Sequence, residues 1–149
     1  MKEKVPDAWQ AWVGVNPNWT ISQDGQKMAD VLVDTSVWID FLRTGNPVLE
    51  ELLNRNQVVM HPMIIGELAC GNLKNRQSLL QLWKSLKLLS QANHAEALYF
   101  IEQKSLMGRG VGYVDVHLLA SVALAANISL WTYDKKLARV ASNQALNWR

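Results

Sequence analysis

The clearest structural signal in the sequence is VLVDTSVWID, residues 31–40. It opens with a short continuous run of apolar, mostly β-branched residues, which predicts a strand buried on both faces of a parallel sheet. Polar residues 34–36 follow at once and predict a turn, and VWIDFLR at residues 37–43 predicts a short helix. This order places an acidic residue at the carboxyl end of a strand, where α/β proteins bind ligands.

The same alternation of strands and helices continues along the chain. Further strands are predicted at QVVMH (57–61), Leu88–Leu89, ISLWT (128–132) and, at the sheet edge, ALNW (145–148). Helices are predicted over PVLEELLN (47–54), MIIGELACGNL (63–73), RQSLLQLWKSLK (76–87), HAEALYFIEQKSLM (94–107), YVDVHLLASVALAA (113–126) and KKLARVAS (135–142). Strands that alternate with helices predict an α/β fold with a parallel sheet.

Length and composition exclude several classes of protein. The 149 residues are enough for one domain, and a 49% apolar content excludes a disordered chain. The net charge of +2 allows a nucleic-acid partner without requiring one. The single cysteine, Cys70, cannot form an internal disulfide, which favours a cytoplasmic setting. No signal peptide is predicted, and the longest apolar run, residues 118–126, is too short to cross a membrane.

Residues 1–27 differ from the rest of the chain. They contain three of the seven tryptophans and show no sustained helical or strand period. We expect them to form an N-terminal extension outside the core fold, with the domain occupying residues 28–149. Met28 directly precedes the first strand and is an alternative start.

Four acidic residues stand where a carboxylate is unusual. Asp34 and Asp134 each follow a predicted strand, and Asp115 opens the most apolar helix after the glycine-rich GRGVGY. Glu67 lies among apolar residues on nearly every face of its helix, where an unpaired buried charge would be costly. Helix capping is an alternative explanation for the three aspartates, and a salt bridge or an exposed stripe is one for Glu67. Together, the four positions favour a functional cluster.

Clustered carboxylates have a definite chemistry. Hard oxygen ligands select Mg²⁺ or Mn²⁺ over zinc, and a divalent ion would relieve the repulsion between the acids. One or two such ions can activate water for phosphodiester hydrolysis. His117 lies two residues after Asp115 and so points to another side of the helix, which favours a structural role.

From Met28 onward the chain resembles the PIN-domain family and, within it, the VapC-type toxins of bacterial toxin–antitoxin pairs. The similarity is carried by VDTSVWIDFLR, MHPMIIGELACGNL, GRGVGYVDVHLLASVAL and LWTYDKKLARVA, in the order and spacing of the family. It implies a three-layer α/β/α sandwich with a central, mostly parallel sheet. It also implies an Mg²⁺- or Mn²⁺-dependent RNA endonuclease, blocked by a cognate VapB-type antitoxin.

The family's acidic motif corresponds to Asp34, Glu67, Asp115 and Asp134, and the hydroxyls of Ser36 and Thr132 match positions that often support the site. We expect Asp34 and Asp115 to bind the metal directly. Glu67 and Asp134 are expected to complete the site directly or through water, and one of them to orient the attacking water.

Three basic residues flank the acids and are candidates for contacts with RNA phosphates: Arg109, Lys135 and Lys136. Arg109 is favoured among them because its glycine neighbours let it reach a strand of RNA. Plain solvated surface is the alternative for each.

Other functions stay open at this stage. A PIN-like module that only binds a partner would be expected to have lost some of the four acids. A DNA nuclease of related fold would carry the same acids and metal. An aspartyl phosphotransferase would need a further acid where this chain has Ser36, or else paired acids earlier in the chain and a lysine on a late strand.

Two predicted helices carry more apolar surface than one small core is expected to absorb. We hypothesise a homodimer interface or an antitoxin groove there, with core packing as the alternative. The residues concerned are Trp38, Phe41, Leu42, Leu79, Leu80 and Trp83.

Overall fold

The computed structural model describes residues 29–149, so the prediction of an extension at residues 1–27 lies outside the described residues. A four-stranded sheet with all neighbours parallel forms the centre of the fold. Its strands, in the order β3-β2-β1-β4, are β1 (Asp30–Val33), β2 (Val58–Met60), β3 (Lys87–Leu88) and β4 (Ile128–Trp131). The predicted α/β class with a parallel sheet is confirmed.

Helices fill the connections between these strands, and a further helix follows β4. Their bounds are α1 (Thr35–Thr44), α2 (Pro47–Asn54), α3 (Pro62–Ala69), α4 (Arg76–Ser85), α5 (His94–Lys104), α6 (Tyr113–Leu124) and α7 (Lys135–Asn143). Asn46 and Asn93 cap α2 and α5 by accepting a backbone hydrogen bond, as asparagine does at helix starts. None of the helices within residues 29–149 is long and apolar enough to cross a membrane.

The segment ALNW forms less structure than predicted. A single parallel bridge joins Asn147 to Leu130, beside β4. The amide of Leu130 donates to the carbonyl of Leu146, and the amide of Trp148 donates to the carbonyl of Leu130. The edge of the sheet is therefore extended by one bridge and not by a full strand.

The order of the strands explains the layers and the location of the site. The chain moves from β1 to β2 to β3 in one direction and then returns to place β4 on the other side of β1. Right-handed crossovers, which parallel strands almost always adopt, then place α1 to α4 on one face and α5 and α6 on the other. The result is a three-layer α/β/α sandwich. Its topological reversal lies between β1 and β4, so their carboxyl ends border the crevice in which such folds bind ligands.

The apolar surplus that suggested an interface is largely core packing. Trp38, Phe41, Leu79 and Trp83 are buried within the chain, and Leu42 and Leu80 are partly buried against the same core. The Trp38 ring packs edge-on against Phe41 and Trp83, with 5.9 Å between ring centroids in both pairs. Core packing, the alternative interpretation, therefore accounts for Trp38, Phe41 and Trp83, which fill the space between α1, α4 and the sheet. Leu42 and Leu79 also line a surface pocket, so the hypothesis of an interface stays a prediction there.

Candidate active site

Asp34 lies at the carboxyl end of β1 and is almost completely buried, with 7% of its surface exposed. The hydroxyl of Thr132 donates a hydrogen bond of 2.7 Å to its Oδ2, and the hydroxyl of Ser36 donates one of 3.0 Å to the same oxygen. Asp34 stands at the N-cap of α1, but its side chain makes no capping hydrogen bond. Capping thus does not explain this residue, and Oδ1 accepts no hydrogen bond from the described residues.

The two hydroxyls also join the ends of β1 and β4. The oxygens of Ser36 and Thr132 lie 3.3 Å apart. The Tyr133 amide donates to Ser36 Oγ and the Asp134 amide donates to Thr132 Oγ1, both at 3.0 Å. Ser36 and Thr132 were expected to support the site, and the structure places both of them against Asp34. They hold its carboxylate and the following loop in one orientation.

Asp134 is exposed at the start of α7. Its Oδ1 accepts hydrogen bonds from the amides of Lys136, at 2.9 Å, and Leu137, at 3.0 Å. The capping explanation is therefore correct for this residue. Its Oδ2 accepts no hydrogen bond from the described part of the chain, so one oxygen caps the helix while the other is available to a ligand.

Asp115 lies in the first turn of α6 and is half-buried. Its Oδ2 accepts a long hydrogen bond of 3.4 Å from the Gly112 amide. Burial raises the pKa of the Asp115 carboxyl, and repulsion from Asp34 and Asp134 adds to the rise, while the Gly112 hydrogen bond opposes it. This carboxylate is therefore both a weak helix cap and a member of the acidic cluster.

Glu67 is exposed on α3, which corrects the expectation that its apolar neighbours bury it. The short helix presents a narrow exposed stripe, the alternative considered from the sequence, and Gly66 beside it is also exposed. The Thr35 hydroxyl donates to Glu67 Oε1 at 3.2 Å. Partial desolvation raises the pKa of Glu67, with repulsion from Asp34 and Asp115 as further causes and the Thr35 hydrogen bond opposing them. Thr35 is a residue that sequence reasoning missed, although it directly follows Asp34.

The four acids are linked by electrostatic repulsion, of Glu67 with Asp34 and Asp115, and of Asp115 with Asp34 and Asp134. Within residues 29–149 none of them forms a salt bridge, and the ion pairs present lie elsewhere, at Arg55–Glu51 and Lys87–Asp30. No three His, Cys, Asp or Glu side chains in this region lie close enough to hold an ion as they stand. The donor chemistry nevertheless fits a hard divalent ion, since repelling carboxylates with uncommitted oxygens are the ligands that Mg²⁺ and Mn²⁺ prefer.

Of the three candidate phosphate-binding residues, Lys136 has a defined contact. A Cβ built on Gly110 would lie 2.8 Å from Lys136 Cδ, so the lysine stem passes over the bare backbone of the loop before α6. Gly110 has a φ of 80°, which also favours glycine. No carboxylate pairs with the Lys136 ammonium among the described residues. Lys135 is exposed and Arg109 is half-buried, and neither side chain forms a hydrogen bond or ion pair there.

His117 is buried, as its structural interpretation suggested, with 6% of its surface exposed. Its ring packs edge-to-face against Tyr113, with centroids 4.5 Å apart. Its Nδ1 is buried and has no hydrogen-bond partner within the described region. The electrostatic and hydrogen-bond partners of the four acids do not include this histidine.

Comparison with known proteins identifies the family. The sequence model of the PIN domain matches residues 31–143, and the chain belongs to the PIN-domain family. It is also similar to Ribonuclease VapC32 of Mycobacterium tuberculosis, in both the CDC 1551 / Oshkosh and the ATCC 25618 / H37Rv strains. The identity is 45% over 107 residues, which cover 72% of this chain and 86% of each relative.

Proposed function

We propose that the protein is a metal-dependent endoribonuclease that hydrolyses RNA phosphodiester bonds and acts as the toxin of a toxin–antitoxin pair. The observation that carries the proposal is the set of four carboxylates, Asp34, Glu67, Asp115 and Asp134, on the crevice between β1 and β4. They interact electrostatically and have no cation partner within the described residues. Similarity to a ribonuclease across 86% of its length supports the same reaction.

In this proposal, each residue of the site has a separate role. Asp34 and Asp115 would hold Mg²⁺ or Mn²⁺ directly, with Glu67 and Asp134 completing the site directly or through water. When bound, the ion supplies an activated water and positive charge for the developing phosphorane. Ser36 and Thr132 keep the Asp34 carboxylate oriented. Thr35 holds one oxygen of Glu67, which leaves the other to orient the attacking water.

The partners of the protein follow from the same proposal. Arg109, Lys135 and Lys136 would contact RNA phosphates on either side of the acids and so offset the negative charge of the crevice. We further propose that a cognate VapB-type antitoxin covers this crevice, and that the protein acts in the cytoplasm as a homodimer.

Two alternatives make different predictions. A non-catalytic partner-binding module has no need for four intact acids or for the hydroxyls that orient Asp34. A DNA nuclease would use the same acids, because carboxylates and metal do not distinguish the sugar. The reaction is therefore tested with RNA and DNA of the same sequence.

The experiment uses the purified full chain and 5′-labelled single-stranded RNA, with matched DNA as comparison. We expect RNA cleavage in Mg²⁺ or Mn²⁺, none in EDTA, and restoration when the ion is returned. Asp34→Asn should abolish cleavage and leave the circular dichroism spectrum unchanged. Cleavage that persists in EDTA or in the Asp34→Asn variant would overturn the proposal. Cleavage of DNA alone would favour the related nuclease.

A further inference from the structure

His61 is a fully buried histidine that the proposed reaction does not use. It has 0% exposed surface and stands directly before α3, the helix that carries Glu67. Its Nδ1 accepts a hydrogen bond of 3.0 Å from the Met63 amide, so the ring acts as the N-cap of α3. One ring nitrogen is thereby committed to the helix that presents Glu67.

The other ring nitrogen reaches across to α6, the helix that carries Asp115. His61 Nε2 lies 3.2 Å from Ser121 Oγ. The Ser121 hydroxyl donates its only proton to the carbonyl of His117, at 2.6 Å, and accepts the Ala92 amide, at 3.0 Å. Because that proton is already used, His61 Nε2 must be the donor in this contact.

This network requires a neutral ring with its proton on Nε2. Burial lowers the pKa of His61 to about 4, and repulsion from His117 contributes to the shift. His61 therefore stays neutral at physiological pH, and both of its hydrogen bonds persist.

The hydrogen bond between His61 and Ser121 lies between the two helices that carry Glu67 and Asp115. Glu67 and Asp115 lie on helices that pack on different faces of the sheet. Among the described residues, no other hydrogen bond joins α3 or its N-cap residue, His61, to α6. Glu67 follows His61 by less than two helical turns, and Asp115 precedes Ser121 by a similar length, so the buried contact joins the two helices within two turns of both acids.

We propose that His61 and Ser121 are positioning residues, whose buried hydrogen bond sets the distance between Glu67 and Asp115 and thereby the affinity of the site for a divalent ion. This inference rests on the proposed function. It is independent of which RNA is cut, because it concerns ion binding alone. Groups that orient metal ligands through other residues commonly change metal affinity or activity by about 10- to 100-fold when replaced.

The experiment measures Mn²⁺ binding to the full chain by calorimetry and by Mn²⁺ electron paramagnetic resonance, without RNA. His61→Asn keeps an acceptor near the Nδ1 position but is too short to reach Ser121. His61→Gln extends an amide toward the Nε2 position and can still donate to Ser121. We expect His61→Asn and Ser121→Ala each to weaken Mn²⁺ binding about tenfold, and His61→Gln to retain most of the affinity.

Val122→Ala is the matched control, since it removes buried apolar volume from α6 beside Ser121 and makes no contribution to the hydrogen bond. Its free energy of unfolding should fall while its Mn²⁺ affinity changes less than about twofold. Unchanged affinity in folded Ser121→Ala, or an equal loss in Val122→Ala, would overturn the inference. Absence of Mn²⁺ binding by the wild-type chain would instead overturn the proposed function.

Discussion

Strand β1 carries a buried aspartate at each end, and the two residues have opposite electrostatic surroundings. Asp30, at the amino end, has 6% exposed surface, and its Oδ1 lies 3.2 Å from the Lys87 ammonium. Asp34, at the carboxyl end, has 7% exposed surface and receives only hydroxyl donors and no cation from the described residues.

This difference separates a carboxylate that is paired within the fold from the one that we propose binds a metal ion. A buried carboxylate needs positive charge or strong hydrogen bonds. At Asp30 the protein itself supplies the charge, through a lysine that also donates to the Asn56 carbonyl at 2.9 Å. At Asp34 the described residues supply two hydroxyl donors, and Asp34 repels the Glu67 and Asp115 carboxylates. Burial alone therefore does not distinguish the two aspartates, whereas the presence or absence of a cation partner among the described residues does.

The largest expected effects come from replacing Asp34 and Asp30, one at a time, by asparagine. Asp34→Asn should reduce RNA cleavage by about a thousandfold or more and change the free energy of unfolding by less than about 0.5 kcal/mol, because asparagine can still accept the hydroxyl protons. Asp30→Asn should lower that free energy by about 1–2 kcal/mol and leave cleavage within about twofold. Urea unfolding measures the free energy of unfolding of each variant, and single-turnover kinetics measure its RNA cleavage. Loss of cleavage in a folded Asp30→Asn variant would contradict the different roles of Asp30 and Asp34 at the two ends of β1.

A smaller effect on the free energy of unfolding is expected at Asp115, where replacement should stabilise the protein. Its pKa is raised in the folded protein, so its charge opposes folding at pH values above its folded pKa, and this cost disappears below the unfolded pKa. In EDTA at pH 7, Asp115→Asn should therefore stabilise the protein by less than about 1 kcal/mol, the half-exposed position limiting the gain. The gain should vanish near pH 3.

Urea unfolding at both pH values measures this effect, with Asp30→Asn as the comparison that should destabilise the protein at pH 7. A stabilised Asp115→Asn variant should also lose cleavage, since stability and activity oppose each other at such sites. Equal destabilisation by both substitutions would show that the two acids have the same role.

The smallest expected effect distinguishes two neighbouring lysines. Lys136 lies over Gly110 and, unlike Lys87, pairs with no carboxylate within the described residues. In the Asp34→Asn background, Lys136→Ala should weaken RNA binding about threefold and reduce the slope of log Kd against log salt by about 1. Lys135→Ala serves as the control, with a smaller change. Fluorescence anisotropy across a salt series measures both, and identical behaviour would contradict a specific role for Lys136.

Local patterns predicted most of the fold. The apolar run before Asp34 forms a fully buried strand, because continuous β-branched segments suit a parallel sheet covered on both faces. The run ending at Trp131 also forms a strand, of which only Leu130 and Trp131 are buried. The segment ALNW was overestimated, since a single bridge depends on where the chain returns to the sheet. For Trp38 and Trp83 the sequence leaves an interface and core packing both open, because apolar content does not reveal whether a residue meets its own core or another chain.

The sequence by itself determined the α/β order of elements, the family and the positions of the four acids relative to strand ends and helix starts. These properties depend on local periodicity and on residue type at a given spacing. Only the tertiary structure decided that Glu67 is exposed, that Asp30 is paired, and that His61 joins α3 to α6. Such properties depend on contacts between residues tens of positions apart, which the order of residues alone does not specify.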